Sequence, residues 1–191
     1  MTAKPGERKL QILQTIATML ENPAGEKVTT ALLAAKLDVS EAALYRHFAS
    51  KAQMYEGLIE FIENGIFSVL NQISVDEESG LRQVELIVAT ALRFAQKNRG
   101  LTRVLVGDAL VHESPRLQVR INQVTDRIEA SLKQSLRIAV TQGKLQAGHD
   151  VGVHASVLVN YVIGRWHRFV KSGFKLDPMD QWEQHWLLLK Q

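Results

Sequence analysis

Apolar residues recur at intervals of three and four along almost the whole chain, and no run alternates apolar with polar residues between hairpin turns. The predicted fold class is all-α. Leu10, Leu13, Ile16, Ala17 and Leu20 mark a first helix, which Asn22-Pro23-Ala24-Gly25 stops. Thr29 or Thr30 offers an N-cap for a short helix through Leu37, and Ser40 offers one for a helix from Glu41 to about His47. A fourth helix, capped by Ser50, is predicted from Lys51 to about Ile73. Met54, Leu58, Phe61, Ile62, Ile66, Val69 and Ile73 form its buried face. Further helices are predicted over residues 80–97, 101–111, 115–141, 150–172 and 180–190. Asn98-Arg99-Gly100, His112-Glu113-Ser114-Pro115, residues 143–148 and residues 173–178 separate them.

This pattern divides the chain into a three-helix unit over residues 1–50 and a larger bundle over 51–191, joined by the helix 51–73. A unit of that size buries little area on its own, which suits it to recognition with the bundle as support.

Within the small unit, Asp38-Val39-Ser40 is too short a connection for antiparallel packing and fits the steep crossing of a helix-turn-helix. Asp38 falls where the chain needs a left-handed residue, which Asp tolerates better than most. At about 100° per residue, Leu44 and Phe48 share one side and anchor the helix, while Arg46 projects from the other. Ala42 and Ala43 keep the first turn slim, as close approach to a groove floor requires. Tyr45 and His47 flank the outward face, placed for phosphates, and Arg46 suits either a guanine edge or a phosphate. Thr29, Thr30, Ser40 and Glu41 sit at helix N-termini and Lys51 adds a charge, completing the candidate DNA-binding set. The alternative is an ordinary helical hairpin with a solvated Arg and His.

Composition narrows the function classes. The chain of 191 residues has a formal net charge of +3, which permits a polyanionic partner without indicating one. It has no cysteine, so disulfide scaffolds, thiolate metal sites and cysteine nucleophiles are excluded. MTAKPGERKLQ lacks the apolar core of a signal peptide, and no stretch approaches the roughly 20 apolar residues of a bilayer span. A cytosolic protein without membrane contact is expected. His47, His112, His149, His154, His167 and His185 form no metal-ligand spacing, and His149 and His154 do not share a helical face at one. Nucleophile, carboxylate-pair and phosphate-loop motifs are missing too. Neither a metal, a cofactor nor an enzymatic activity is expected.

Residues 151–170 carry apolar side chains on nearly all sides, as in a helix buried on two faces. Val159, Ile163, Trp166 and Phe169, with Trp182 and Trp186 of the last helix, are the candidate dimer interface, four helices from two chains. A deeply buried helix in a monomer gives the same pattern. Phe94, His112, Tyr161 or Trp166 could instead line a pocket for a small-molecule effector, a competing expectation that core packing of these aromatics disfavours.

The segment VTTALLAAKLDVSEAALYRHFASKAQMYEGLIEFI closely resembles the DNA-binding domain of the Tet repressor family, and LYRHF followed by SK is a specific match. The resemblance implies a homodimer placing two copies of the helix around Glu41 to His47 in successive major grooves of a near-palindromic site. GLIEFIE, GLTRVLVGDALV, RLQVRINQVTDRIEASLKQSLR and RFVKSGFKLDP extend the resemblance to a branch of that family. Its members associate with the nucleoid and restrain the division ring by binding the division protein FtsZ. For this chain the resemblance implies FtsZ contacts at Phe61, Arg93, Lys97 and Asn98.

Overall fold

The computed structural model describes residues 5–22 and 28–191, and every regular element among them is helical. The helices are α1 (Pro5–Leu20), α2 (Thr30–Lys36), α3 (Glu41–Tyr45), α4 (Lys51–Asp76), α5 (Gly80–Lys97), α6 (Arg99–Leu105), α7 (Pro115–Thr141), α8 (Val151–Lys171) and α9 (Trp182–Leu189). A 3-10 turn spans Asp108–Leu110. Of the expected stop after α1, Asn22 is described, whereas Pro23, Ala24 and Gly25 lie outside the described residues.

The chain forms two compact units. The first holds the described residues up to Ile62 together with Asn98–Ile121; the second holds Glu63–Lys97 and Asn122–Gln191. The division falls inside α4 and α7, whereas the sequence pattern suggests a boundary after residue 50. Residues far along the chain return to the N-terminal helices because α6 packs along α1.

That packing explains one misread glycine. Asn98-Arg99-Gly100 reads as a break, yet only Asn98 leaves helical geometry, and Gly100 lies in the first turn of α6. A Cβ on Gly100 would stand 1.9 Å from the carbonyl oxygen of Ala17, so a bare Cα permits two helical backbones to meet. The break comes instead at Gly107, whose φ of 78° ends α6 and starts the 3-10 turn where a continuous helix 101–111 was expected. Arg103 secures the same region. Its guanidinium pairs with Asp108 at 2.7 Å and donates to the carbonyls of Leu20, the last residue of α1, and of Asn22 just beyond it. A cation is favourable at a helix C-terminus.

Ile12, Ile16, Leu33, Leu44, Met54, Leu58 and Ile59 fill the core of the first unit. Met54, Leu58, Ile62 and Ile66 are buried on α4 as the periodicity predicts, but Phe61 is 47% and Val69 43% exposed. Val69 falls within the stripe that Met54, Leu58, Ile62 and Ile66 set, and Phe61 at its edge, so spacing alone does not tell which positions of a 26-residue helix the rest of the chain covers.

In the second unit α5 packs against α8, and the buried indole of Trp166 donates to the carbonyl of Ala91 at 3.0 Å. The hydroxyl of Ser135 donates to the Gln83 side-chain oxygen, and the Gln83 amide donates to the carbonyl of Glu77, satisfying a buried polar pair between α5 and α7.

Two histidines pin the end of α9. His149 precedes α8, and its Nε2 lies 2.7 Å from Nδ1 of His154, whose Nε2 lies 2.7 Å from the carbonyl of Leu189. The two rings are neighbours because His149 belongs to the turn before the helix, where helical spacing does not apply. Burial, with a smaller contribution from His149, holds the His154 pKa below its ordinary value of 6.5, against the opposing bond to Leu189.

Two outcomes follow for stability. Gly100→Ala should lower unfolding free energy by about 2–3 kcal/mol in a urea titration, the cost of forcing a side chain into packed structure. A change within about 0.5 kcal/mol, ordinary for an exposed site, would mean that α1 and α6 do not meet there. For His154 a folded pKa below the unfolded one means that the unfolded chain binds more protons between the two values. Its contribution is therefore complete above pH 6.5 and lost as pH falls from there toward the folded pKa. The thermal midpoint of the wild type should drop more steeply over that window than that of His154→Asn; parallel curves would remove His154 as the cause.

Candidate nucleic-acid interface

The turn between α2 and α3 forms as its residues dictate. The hydroxyl of Thr29 accepts from the Leu32 N–H at 3.2 Å and caps α2, and that of Ser40 accepts from the Ala43 N–H at 3.3 Å and caps α3. Asp38 adopts φ 52°, the left-handed turn that redirects the chain. Val39 is half-buried beside it.

A helix of five residues has almost no stability alone, so α3 is held by its anchors. Leu44 is 1% and Phe48 8% exposed. Phe48 lies by Gly57 of α4, where a Cβ would stand 3.6 Å from its ring and 3.1 Å from Leu13 of α1. Opposite these anchors, Ala42, Tyr45 and Arg46 are exposed, while Ala43 and His47 are half-buried at the margin. Tyr45, Arg46 and His47 make no side-chain hydrogen bond or ion pair among the described residues, so their donors are open to a ligand.

The remaining candidates are tied within the chain. The hydroxyl of Thr30 donates to the Glu41 carboxylate at 2.5 Å, joining the starts of α2 and α3. Lys51, expected as a free charge beside DNA, is half-buried. Its ammonium pairs with Glu113 and lies 5.5 Å above the ring of Tyr55. Tyr55 is itself buried, and burial, followed by the Glu113 charge, pushes its hydroxyl pKa far up. Sequence reasoning had no means of pairing residues 62 positions apart. It also missed Lys9, exposed on α1, whose ammonium sits 5.6 Å over the Phe48 ring and brings a positive charge to the end of α3. The signal was a lysine on the polar side of an amphipathic helix, which many solvated lysines share.

The expected partner residues fall in different places. Phe61 is exposed on α4 and Asn98 is half-buried in the first unit; Arg93 and Lys97 are exposed one turn apart on α5 in the second. Of the expected dimer residues, Val159, Trp166, Phe169, Trp182 and Trp186 lie in the chain's own core, and Ile163 is half-buried. An all-round apolar helix does not announce which face its own chain covers. The uncovered face of α8 runs through Val153, Val157, Asn160 and Gly164, and Leu187 and Leu188 are exposed on α9. A Cβ on Gly164 would meet nothing within 4 Å.

The aromatics proposed for an effector pocket are engaged elsewhere or exposed. Phe94 and Trp166 are buried, the Tyr161 hydroxyl lies 3.0 Å from Nδ1 of His185, and His112 is exposed. An open groove of about 330 Å³ lies between His149, Val153, Val157 and Leu188. A polar cavity of about 160 Å³ lies between Arg165, Arg168, Asp177 and His185. Neither is lined by those four residues. Among the described residues no cluster of His, Asp or Glu could hold a metal, and no helix is long and apolar enough to cross a membrane.

Residues 13–58 match the model of the tetR family of bacterial regulatory proteins, and residues 78–191 match a tetracyclin repressor-like C-terminal domain. The chain is 46% identical to the nucleoid occlusion factor SlmA of Marinomonas sp. (strain MWYL1), covering 100% of this chain and 97% of that protein. It is 47% identical to SlmA of Aliivibrio fischeri (strain MJ11), over 98% of this chain and 96% of that one. Among solved structures, the fatty acid degradation regulator FadR of Bacillus halodurans superposes with a TM-score of 0.80 at 14% identity, covering 100% and 97% of the two chains. The transcriptional regulator PfmR of Thermus thermophilus gives 0.77 at 20% identity, covering 93% and 96%. At such identities the superpositions speak for the fold. The end-to-end relatives and the two matched domains speak for kinship: this chain belongs to the tetR family of bacterial regulatory proteins, a family of regulators and not of enzymes, in the group that contains these nucleoid occlusion factors.

Proposed function

We propose that this chain is a homodimeric, sequence-specific DNA-binding protein that associates with the nucleoid and restrains FtsZ ring assembly there. The observation that carries the reading is identity of 46% from end to end with a protein named for nucleoid occlusion, which a shared reading head alone would not give. In this reading α3 lies in the major groove with the slim side chains of Ala42 and Ala43 against its floor. Tyr45 and His47 donate to phosphates and Arg46 to a phosphate or a guanine edge. Ser40, Thr29 and the Thr30–Glu41 pair set the two helix starts at the backbone.

The dimer brings two such heads to half-sites about one helical turn, roughly 34–36 Å, apart. Its interface in this reading is the stripe that the chain leaves uncovered, Val153, Val157 and Gly164 of α8 with Leu187 and Leu188 of α9. Trp166, Phe169, Trp182 and Trp186 support that surface from behind. Exposed Phe61, Arg93 and Lys97, with Asn98, are the candidate contacts for FtsZ.

Arg46→Ala and Tyr45→Phe should each weaken DNA binding by about 1–2 kcal/mol at fixed salt while the dimer stays intact by light scattering. Unchanged affinity at matched ionic strength would take these side chains out of the interface. For the cellular role, genome-wide occupancy should show many scattered sites, and the DNA-bound protein should alter FtsZ polymers in a sedimentation assay. Occupancy confined to one or two promoters, no FtsZ effect, and release of DNA by a small molecule would establish a ligand-gated repressor instead.

A further inference from the structure

Lys51 opens α4, three residues beyond the Phe48 anchor of the recognition helix. A cation at a helix N-terminus faces the positive end of the backbone dipole and is unfavourable there. Two groups offset this. The Tyr55 ring lies beneath the ammonium, and the Glu113 carboxylate pairs with it. The Lys51 side chain is 23% and the Glu113 side chain 11% exposed, so the pair is partly withdrawn from water and its attraction is less screened than that of a surface pair. The Glu113 N–H donates to the carbonyl of Leu110 at 2.9 Å, tying its backbone to the end of the 3-10 turn, in the short connection before α7. Two other cations of this unit have carboxylate partners of their own: Arg103 pairs with Asp108, and Arg116 pairs with Glu56 at 2.9 Å.

We infer that Glu113 is an internal competitor for Lys51, a partly buried carboxylate occupying the ammonium that a DNA phosphate would otherwise take, and so a determinant of how tightly the head holds DNA. The inference rests on the reading of α3 as the DNA-binding helix. Moving Lys51 onto a phosphate exchanges one charge-assisted hydrogen bond for another and leaves Glu113 partly buried without its counter-ion. Lys51 therefore adds little net affinity while Glu113 is present, and the chain binds DNA with one phosphate contact fewer than its basic residues could supply.

A phosphate contact is independent of sequence, so a random-sequence duplex is a sufficient probe for the full-length protein, with affinity measured across a salt series. Glu113→Gln should bind severalfold more tightly at low salt, and its log–log salt slope should be steeper by about 0.9, one additional phosphate contact. In Glu113→Gln combined with Lys51→Met both gains should vanish. A gain that persists without Lys51 would reflect the general field of a lost negative charge and would overturn the inference, as would no gain at all. Glu113→Asp keeps the charge and shortens the reach, so a smaller gain in that variant cannot come from the field; it also serves if Glu113→Gln unfolds. Weakened binding by Arg46→Ala with no change in Glu113→Gln or Glu113→Asp sinks the role of Glu113 alone. Wild-type binding by all three variants sinks the reading of the head as well.

Discussion

The recognition helix is too short to exist by itself, and the structure around it answers that constraint. Five residues of α3 make barely one turn, so its presence and angle depend on burying Leu44 and Phe48. Burying two such side chains is worth about 1.5–3 kcal/mol each, enough to hold one turn but not to spare. Leu13, Gly57 and Phe48 meet where α1, α4 and the end of α3 converge, and α6 closes on α1 through Gly100. The exposed face of Tyr45 and Arg46 is thus a consequence of what the opposite face must bury.

Electrostatics in this chain is local. A net charge of +3 is too small to steer a polyanion, and single charges matter through their partners. Arg103 caps α1 and binds Asp108; Lys51 is held by Glu113; Arg127 lies 3.7 Å over the ring of Phe67. At the head Arg46 and its two polar neighbours stay open, and Lys9 adds an exposed ammonium over the Phe48 ring. A basic residue in the sequence is therefore a weak guide to a phosphate contact until its nearest carboxylate is known.

The second unit shows the same division between committed and open surface. Trp166 and Phe169 complete the core while the opposite stripe of α8 carries Val153, Val157 and Gly164 with no cover. Trp166, Phe169, Trp182 and Trp186, which the sequence pattern favours for a dimer interface, prove to be core, because only packing decides which face of an apolar helix its own chain uses.

By itself the sequence determined the helical class, most helix positions, the turn at Asp38, the caps Thr29 and Ser40, and the inward and outward sides of α3. These are local matters, set by spacing of three and four residues, by side-chain bonds to neighbouring N–H groups, and by backbone tolerance for positive φ. Tertiary structure alone decided that Gly100 joins two helices while Gly107 breaks one, that His149 reaches His154, that Phe61 is exposed, and that Lys51 is paired. Each of these depends on groups brought together from outside one helical repeat, in the case of Lys51 and Glu113 from 62 positions away. Periodicity records which residues share a face; it carries no record of what that face meets.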